Sequence, residues 1–279
     1  MEKKTLLVKE PGFYRLMLML ALPVIIQNMI TVGVNIMDTV MLGSFGEIQL
    51  SGSSLANDFI NLFQIACMGV GGGASVLSAQ FYGKGDYNNV KKTVAIMLRV
   101  ILSVAVVCMV ISLFFPEELL RIYTADTAVI EKGAIYLRYS TASFVMMAIT
   151  MTLTLILRSI HDVKIPLYAS IGSFFVNIFF NWVFIFGHFG VPQMQIAGAA
   201  IGTVLFELIV IGGHFFFQEK QLRFRIRDLW MPVGDLLGTY CKYCIPVLCS
   251  DMLLGIGNSM VSVIIGHIGT SFVAANSIV

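Results

Sequence analysis

The chain has 279 residues, of which 57% are hydrophobic and 12% are charged, and its mean hydropathy is +0.86. Soluble globular domains carry roughly 25% charged residues, so this composition excludes a soluble domain and indicates a polytopic membrane protein. A formal net charge of +2 is too small to favour a nucleic acid, and the expected partner is the lipid bilayer.

Seven segments are apolar over enough length to cross a bilayer as helices, because a span needs about 20 mostly apolar residues. In chain order they cover residues 16–42, 53–81, 94–115, 134–157, 166–187, 196–217 and 238–265. The loop PEELLRIYTADTAVIEKG after the third span predicts a short helix on the outer surface. An eighth apolar segment begins near Ser271, so we expect the chain to be part of a longer protein. The fold class predicted is an all-α polytopic membrane protein.

Lys and Arg are concentrated in the N-terminal segment and in the second, fourth and sixth loops, whereas the opposite loops hold only Arg121 and Lys132. In multi-pass proteins the cytoplasmic loops carry the excess of Lys and Arg. We therefore expect a cytoplasmic N-terminus. The basic stretch EKQLRFRIRDLW lies on the same side and is interpreted as a cytoplasmic anchor and linker.

The first and seventh spans share a pattern at a shift of 223 residues. The matched pairs include Pro23 with Pro246, Gly43 with Gly266, and Gly46 with Gly269. An even number of spans separates the two copies, so both cross the membrane in the same direction, as in the parallel repeats of secondary transporters. This predicts an N-terminal six-helix bundle at 1–217, a cytoplasmic linker at 218–236 and the start of a second bundle at 237–279.

An acidic residue, Asp38, interrupts the first span within the sequence NIMDTVMLG. A carboxylate at the centre of a span costs about 2.5–3.5 kcal/mol on insertion scales, so such a residue usually faces a cavity or a partner. Asn28, Thr31 and Asn35 precede it at spacings that place all four side chains within an arc of about 80°. We expect this polar stripe to face protein or water rather than lipid.

Two further spans offer oxygen ligands at a similar depth. Asn177 and Asn181 share one face of the fifth span, and Ala199 and Thr203 share one face of the sixth. Hard cations such as Na⁺ favour oxygen ligands, and an isolated carboxylate in an apolar setting can also carry a proton. The residues therefore predict a Na⁺ or H⁺ site, and the alternative for Asp38 is a hydrogen-bonded pin between helices.

Three other acidic residues lie within spans. Asp58 in the second span has a depth similar to that of Asp38, and Glu207 lies near the middle of the sixth span. Asp251 in the seventh span aligns with Asn28 in the repeat. For each of them the sequence leaves open a functional site or a structural role in helix packing.

Three blocks of this sequence, LPVIIQNMITVGVNIMDTVMLGSFG, GVGGGASVLSAQFYGKGD and NIFFNWVFIFGHFGVPQMQIAGAAIGT, resemble the first, second and fifth-to-sixth helix signatures of MATE (multidrug and toxic compound extrusion) transporters. The resemblance covers the whole chain. It implies twelve helices in two six-helix bundles for the full chain. It also implies export of amphipathic organic cations across the plasma membrane in exchange for Na⁺ or H⁺, with no ATP and no cofactor besides the coupling ion.

The same resemblance implies roles for five residues. Asp38 matches the first-helix aspartate that binds the coupling ion, and Asn177 and Asn181 match a pair in the fifth helix. Ala199 and Thr203 match the sixth-helix residues that complete a Na⁺ site. Some family members carry a second aspartate where this chain has Asn181, which leaves Asp38 as the one carboxylate of the set and argues against proton-only schemes built on a carboxylate pair.

A flippase for lipid-linked or polysaccharide precursors has the same overall plan and is the alternative function. Such proteins tend to line their cavities with several basic residues, whereas Arg99 and Arg138 are the only basic residues expected within spans here, both near span ends. A cavity rich in Met and Phe suits amphipathic cations better, because soft side chains repack around varied shapes.

Enzymatic alternatives find little support in the motifs. The sequence GKGD at 83–86 imitates an intramembrane aspartyl protease motif, but it lies in a polar turn. The chain contains no GxxxxGK[ST] loop for ATP, and the glycine-rich sequence GVGGGAS at 69–75 is interpreted as a site of close helix packing. We therefore expect a transporter rather than an enzyme.

Overall fold

A computed structural model describes residues 11–190, 224 and 226–277 of the chain. Within these ranges the secondary structure is helical and no strand is present. The α-helices are α1 Pro11–Gly43, α2 Glu47–Gly83, α3 Tyr87–Phe114, α4 Pro116–Arg121, α5 Thr127–Tyr139, α6 Thr141–Ser159, α7 Lys164–Phe186, α8 Gly234–Ile268 and α9 Thr270–Asn276, with a 3₁₀ helix at Ile226–Trp230.

Six of these helices, α1, α2, α3, α6, α7 and α8, are long and apolar enough to cross a membrane. They correspond to the first five predicted spans and the seventh, so the chain is an all-α polytopic membrane protein as predicted. The predicted span 196–217 lies outside the described residues. The loop after the third span, predicted to form one short helix, contains the six-residue helix α4 and the first part of α5, and its place on the outer surface remains a prediction.

The fourth predicted span, 134–157, is broken in the structure. The chain forms α5 and α6, which meet at Ser140. The backbone N–H and the hydroxyl of Ser143 both donate to the Ser140 carbonyl, at 2.9 Å and 2.6 Å. A short i+3 turn and a side-chain hydrogen bond therefore compete with the regular helical pattern at this point. Apolar composition alone could not reveal this break.

The two copies of the predicted repeat share local geometry. Pro23 lies inside α1 and Pro246 lies inside α8. After each of these helices the chain turns at a glycine with positive φ, 113° at Gly46 and 157° at Gly269, and a new helix begins at the next residue. A residue with a Cβ is strained at such φ values, which explains why glycine stands at both turns. The division into two bundles remains a prediction.

Helix α2 is the centre of the bundle and packs against α3, α5, α6 and α8. Its glycines permit this packing. A Cβ on Gly73 would lie 2.5 Å from Cys244 Cα, and one on Gly69 would lie 2.8 Å from Leu248 Cα, so α2 and α8 touch backbone to backbone. On another face, a Cβ on Gly71 would overlap the side chain of Leu155 on α6. The interpretation of GVGGGAS as a packing motif is confirmed.

The ends of the helices are tied together on opposite sides of the bundle. On one side the Thr124 hydroxyl donates to the Gly266 carbonyl at 3.0 Å, and the Thr270 hydroxyl donates to the Asp126 carboxylate at 2.7 Å. At the other side Lys92 pairs with Asp235 at 2.6 Å, and Arg99 donates to the carbonyls of Leu229, in the 3₁₀ helix, and of Met231, which follows it. The last part of the predicted linker is thereby held against the start of α3.

Candidate functional site

A cavity of about 430 Å³ lies between α1, α2, α6 and α7. All four members of the predicted polar stripe on α1 line it: Asn28, Thr31, Asn35 and Asp38. This volume lies within the range of roughly 300–1,000 Å³ that is typical of small-molecule sites. The stripe therefore faces this cavity, in which Asp38 is half-buried and Asn28, Thr31 and Asn35 remain exposed among the described residues.

One contact of the stripe joins α1 to α7. The Asn181 amide donates to the Asp38 carboxylate, and it donates a second hydrogen bond to Asn177 Oδ1 at 3.2 Å. Asn177 and Asn181 stand one helical turn apart, and their exposed fractions are 1% and 0%. The structure thus brings together three of the five residues predicted for the ion site. Ala199 and Thr203 lie outside the described residues.

The donor set is rich in oxygen. Besides the Asp38 carboxylate it contains the buried Oδ1 of Asn181, which has no hydrogen-bond donor among the described residues. Among the described residues, Asn177 Oδ1 accepts one hydrogen bond, from the Asn181 amide. Carboxylate and amide oxygens are ligands that hard cations prefer, so the residues present fit a Na⁺ ion. In the described ranges no Lys or Arg forms an ion pair with Asp38.

Three side chains at the other end of the stripe are joined by hydrogen bonds. Arg158 at the end of α6 donates to Gln27 Oε1 at 2.7 Å, and the Gln27 amide donates to the Ser170 hydroxyl at 3.0 Å. The expectation that Arg99 and Arg138 are the only basic residues within spans is wrong. Arg158 belongs to α6 and lines the cavity, because this helix continues to Ser159.

A second polar stripe, on α2, was not recognised from the sequence. Asn57, Asn61 and Gln64 stand at i, i+4 and i+7, and all three line the cavity. The Tyr136 hydroxyl donates to Asn57 Oδ1 at 3.1 Å, which fixes α5 against this stripe. The helical spacing of these amides in the sequence is the signal that could have predicted the stripe.

The three remaining acidic candidates have different positions. Asp58 is half-buried and lines the cavity, and its carboxylate lies beside the Ser262 side chain on α8. Asp251 is half-buried on α8. In the described part of the chain it lines neither this cavity nor a second cavity between α2 and α8. Glu207 lies outside the described residues.

Comparison with known proteins decides the family. A family model described as MatE matches residues 23–183, which is more than half of the chain. The chain belongs to the MatE family. This is a family of transporters, and the chain, with six helices long and apolar enough to cross a membrane among its described residues, is a multi-pass membrane protein of that family.

Relatives of this MatE protein include "Probable multidrug resistance protein NorM" of Rhizobium meliloti, 26% identical over 276 residues, and "Probable multidrug resistance protein YoeA" of Bacillus subtilis, 25% identical over 278 residues. The alignments cover 96% and 97% of this chain but only 58% and 60% of the relatives. The chain therefore spans well under two thirds of the length of these curated relatives.

Solved structures share the fold. The structure of the MATE multidrug transporter DinF-BH superposes with a TM-score of 0.82 at 20% identity, and the match covers 99% of this chain and 62% of that one. "Inward-facing conformation of a multidrug resistance MATE family transporter of the MOP superfamily" gives a TM-score of 0.75 at 20% identity, over 88% of this chain and 56% of that one. At this identity the comparison establishes the fold of the helical bundle.

Proposed function

We propose that this MatE protein is an antiporter that exports amphipathic organic cations across the plasma membrane in exchange for Na⁺ or H⁺. The observation that carries the proposal is the contact of the Asp38 carboxylate with the buried Asn177–Asn181 pair at the wall of a polar cavity. A carboxylate that lies within a span, and that has no basic partner among the described residues, favours a cation or a proton as its ligand. The N-terminus is then cytoplasmic, as the loop charges predict.

The charge of the cavity favours a positive substrate. The described residues that line the cavity include two carboxylates, those of Asp38 and Asp58. They include one guanidinium, that of Arg158, which already donates to Gln27. With both carboxylates ionised, this lining carries an excess of one negative charge. A flippase for pyrophosphate-linked precursors needs the opposite sign, because phosphate recognition uses several Arg or Lys side chains. The organic-cation exporter is therefore the better supported of the two functions.

Coupling follows from neutralisation of Asp38. A bound Na⁺ or proton removes the net charge of this carboxylate and with it the desolvation penalty for closing α1 against α7. A ligand shifts a conformational equilibrium only through its different affinities for the two states. The coupling ion must then favour the state from which the substrate has left, and the substrate must favour the ion-free state.

The test is transport by the purified protein in proteoliposomes, with the membrane potential clamped by K⁺ and valinomycin. Vesicles loaded with Na⁺, or with acidic buffer, are diluted into Na⁺-free buffer and the uptake of tetraphenylphosphonium is followed. We expect uptake driven by at least one of the two gradients. Asp38→Asn keeps the size of the side chain and should reduce uptake to that of protein-free vesicles. Glu47→Gln, an exposed acid at the start of α2, is the control and should transport normally.

Two results would contradict the proposal. Wild-type rates in the Asp38→Asn protein under both gradients would make Asp38 a hydrogen-bonding pin between α1 and α7. Equal uptake by wild-type protein with and without either gradient would exclude ion-coupled antiport.

A further inference from the structure

A second cavity of about 450 Å³ lies between α2 and α8, beside the site at Asp38. Asp58 lines both cavities and, among the described residues, is the one that contributes a carboxylate to the second. No Lys, Arg or His lines this second cavity in the part of the chain that the structure describes. Its negative charge therefore has no counterpart of opposite sign among the described lining residues.

The wall around Asp58 is polar on the α8 side. Asn258, Ser259 and Ser262 lie within two turns of α8 and line the cavity. The Ser262 side chain lies beside the Asp58 carboxylate. A carboxylate beside one hydroxyl still has acceptor sites for a ligand, since it carries about four lone-pair positions.

Tyr123 supports this arrangement from behind. This residue is only 5% exposed, and its phenol lies beside the Ser259 side chain. Burial, together with the nearby charge of Asp58, raises the pKa of Tyr123, so this phenol stays neutral beside the carboxylate. The Asp58 carboxylate is therefore bordered by two separate segments of the chain. Tyr123 precedes α5, and Ser259 and Ser262 belong to α8.

The side of the cavity formed by α2 and α6 combines the amides of Asn61 and Gln64 with apolar side chains. Ile65, Met68 and Met151 line the second cavity, and both methionines line the first cavity as well. Methionine side chains adapt to irregular shapes and make favourable contacts with aromatic rings. A ligand that fits both walls carries one positive charge and a bulky apolar or aromatic body.

We propose that Asp58 holds the positively charged group of the exported organic cation, with the body of the cation lying against Met68 and Met151. This inference rests on the proposed function, because it assigns the substrate to Asp58 and leaves Asp38 to the coupling ion. Asp58 borders both cavities, so the two cations interact with one another through a shared low-dielectric space. Their mutual repulsion gives the competition that antiport requires.

The experiment measures equilibrium binding of tetraphenylphosphonium to the purified protein in lipid nanodiscs, without Na⁺ and without any gradient. We expect Asp58→Asn to weaken this binding about tenfold or more, whereas Asp58→Glu, which keeps the charge, stays within a few-fold of wild type. Glu47→Gln removes an acid from the same helix outside both cavities and should bind normally. The neutral probe triphenylphosphine oxide should bind the wild type and Asp58→Asn equally weakly.

A second variant covers the case in which Asp58→Asn does not fold. Met151→Ala keeps every charge and shortens the apolar wall. It should weaken binding of tetraphenylphosphonium and leave binding of the small cation tetramethylammonium unchanged. Equal loss for both cations would contradict an apolar contact with the substrate body.

The outcomes separate the two proposals. Wild-type affinity of Asp58→Asn for tetraphenylphosphonium overturns the assignment of Asp58 and leaves ion-coupled export intact. Loss of Na⁺ binding in Asp58→Asn with unchanged affinity for tetraphenylphosphonium makes Asp58 an ion ligand and also overturns it. A wild-type protein that shows neither binding nor transport of organic cations refutes the proposed function and this inference together.

Discussion

The close packing of α2 against α8 predicts that a single methyl group at Gly73 will force the two helices apart. A Cβ at this position would lie 2.5 Å from Cys244 Cα and 2.8 Å from Cys244 N, where ordinary contacts begin at 3.4 Å. Because both neighbours are backbone atoms, rotation of a side chain cannot relieve the overlap. The backbones must separate by about 1 Å, the difference between the ordinary and the observed spacing.

Overpacking of this kind costs typically 1–3 kcal/mol. Alanine recovers about 0.5–1 kcal/mol relative to glycine in a helix. We therefore expect Gly73→Ala to lower the free energy of unfolding by about 1–2 kcal/mol, which corresponds to a lower Tm by roughly 2–8 °C for a protein of this size. Gly238→Ala is the matched control on α8, because a Cβ there meets nothing within 4 Å.

The assay is a thermal melt followed by labelling of buried thiols with a coumarin maleimide. All five cysteines are free, and Cys67 and Cys244 are buried, the latter at the α2–α8 contact itself. Gly73→Ala should label faster at low temperature and unfold at a lower temperature, whereas Gly238→Ala should match the wild type or exceed it. A Tm of Gly73→Ala at or above that of Gly238→Ala would refute the backbone contact between α2 and α8.

Further predictions address the site and the helix ends. Asn181→Leu removes the hydrogen bond to Asp38 and an amide oxygen from the donor set, so it should weaken Na⁺ binding about tenfold by isothermal titration; unchanged binding would place the ion elsewhere. Gln27→Leu breaks the bridge to Arg158 and should increase labelling of a cysteine introduced into the cavity from the cytoplasmic side; unchanged labelling would show that the bridge does not close this end. Asp126 has a pKa lowered by the hydroxyl at the start of α9, so its stabilising contribution is present at neutral pH and is lost as the pH falls below its ordinary value of 3.8. Asp126→Asn should therefore show a smaller drop in Tm between pH 7 and pH 3 than the wild type, and an equal drop would exclude this contribution.

Much of the local structure follows from the sequence. Long apolar segments separated by short polar turns predicted the spans, because a helix in lipid must satisfy its own backbone hydrogen bonds and hide its polar groups. The same rule made the polar stripe on α1 informative, since Asn28, Thr31, Asn35 and Asp38 share one face whatever surrounds the helix. Asp86 and Asp126 begin helices by accepting backbone N–H bonds, as their side chains do wherever the chain turns into a helix.

The pairing of helices was decided by the tertiary structure. Periodicity reports which side chains share a face but not which helix lies opposite, because that choice depends on how well whole surfaces fit together. The sequence and the family resemblance placed Asp38 and Asn181 in one predicted site, and the fold decided that the Asn181 amide itself donates to this carboxylate. Packing likewise set Asp58 against Ser262 on α8 and aimed Arg158 at Gln27. In each case residues more than 100 positions apart meet only after the helices have packed, so nothing in the local sequence could have indicated the contact.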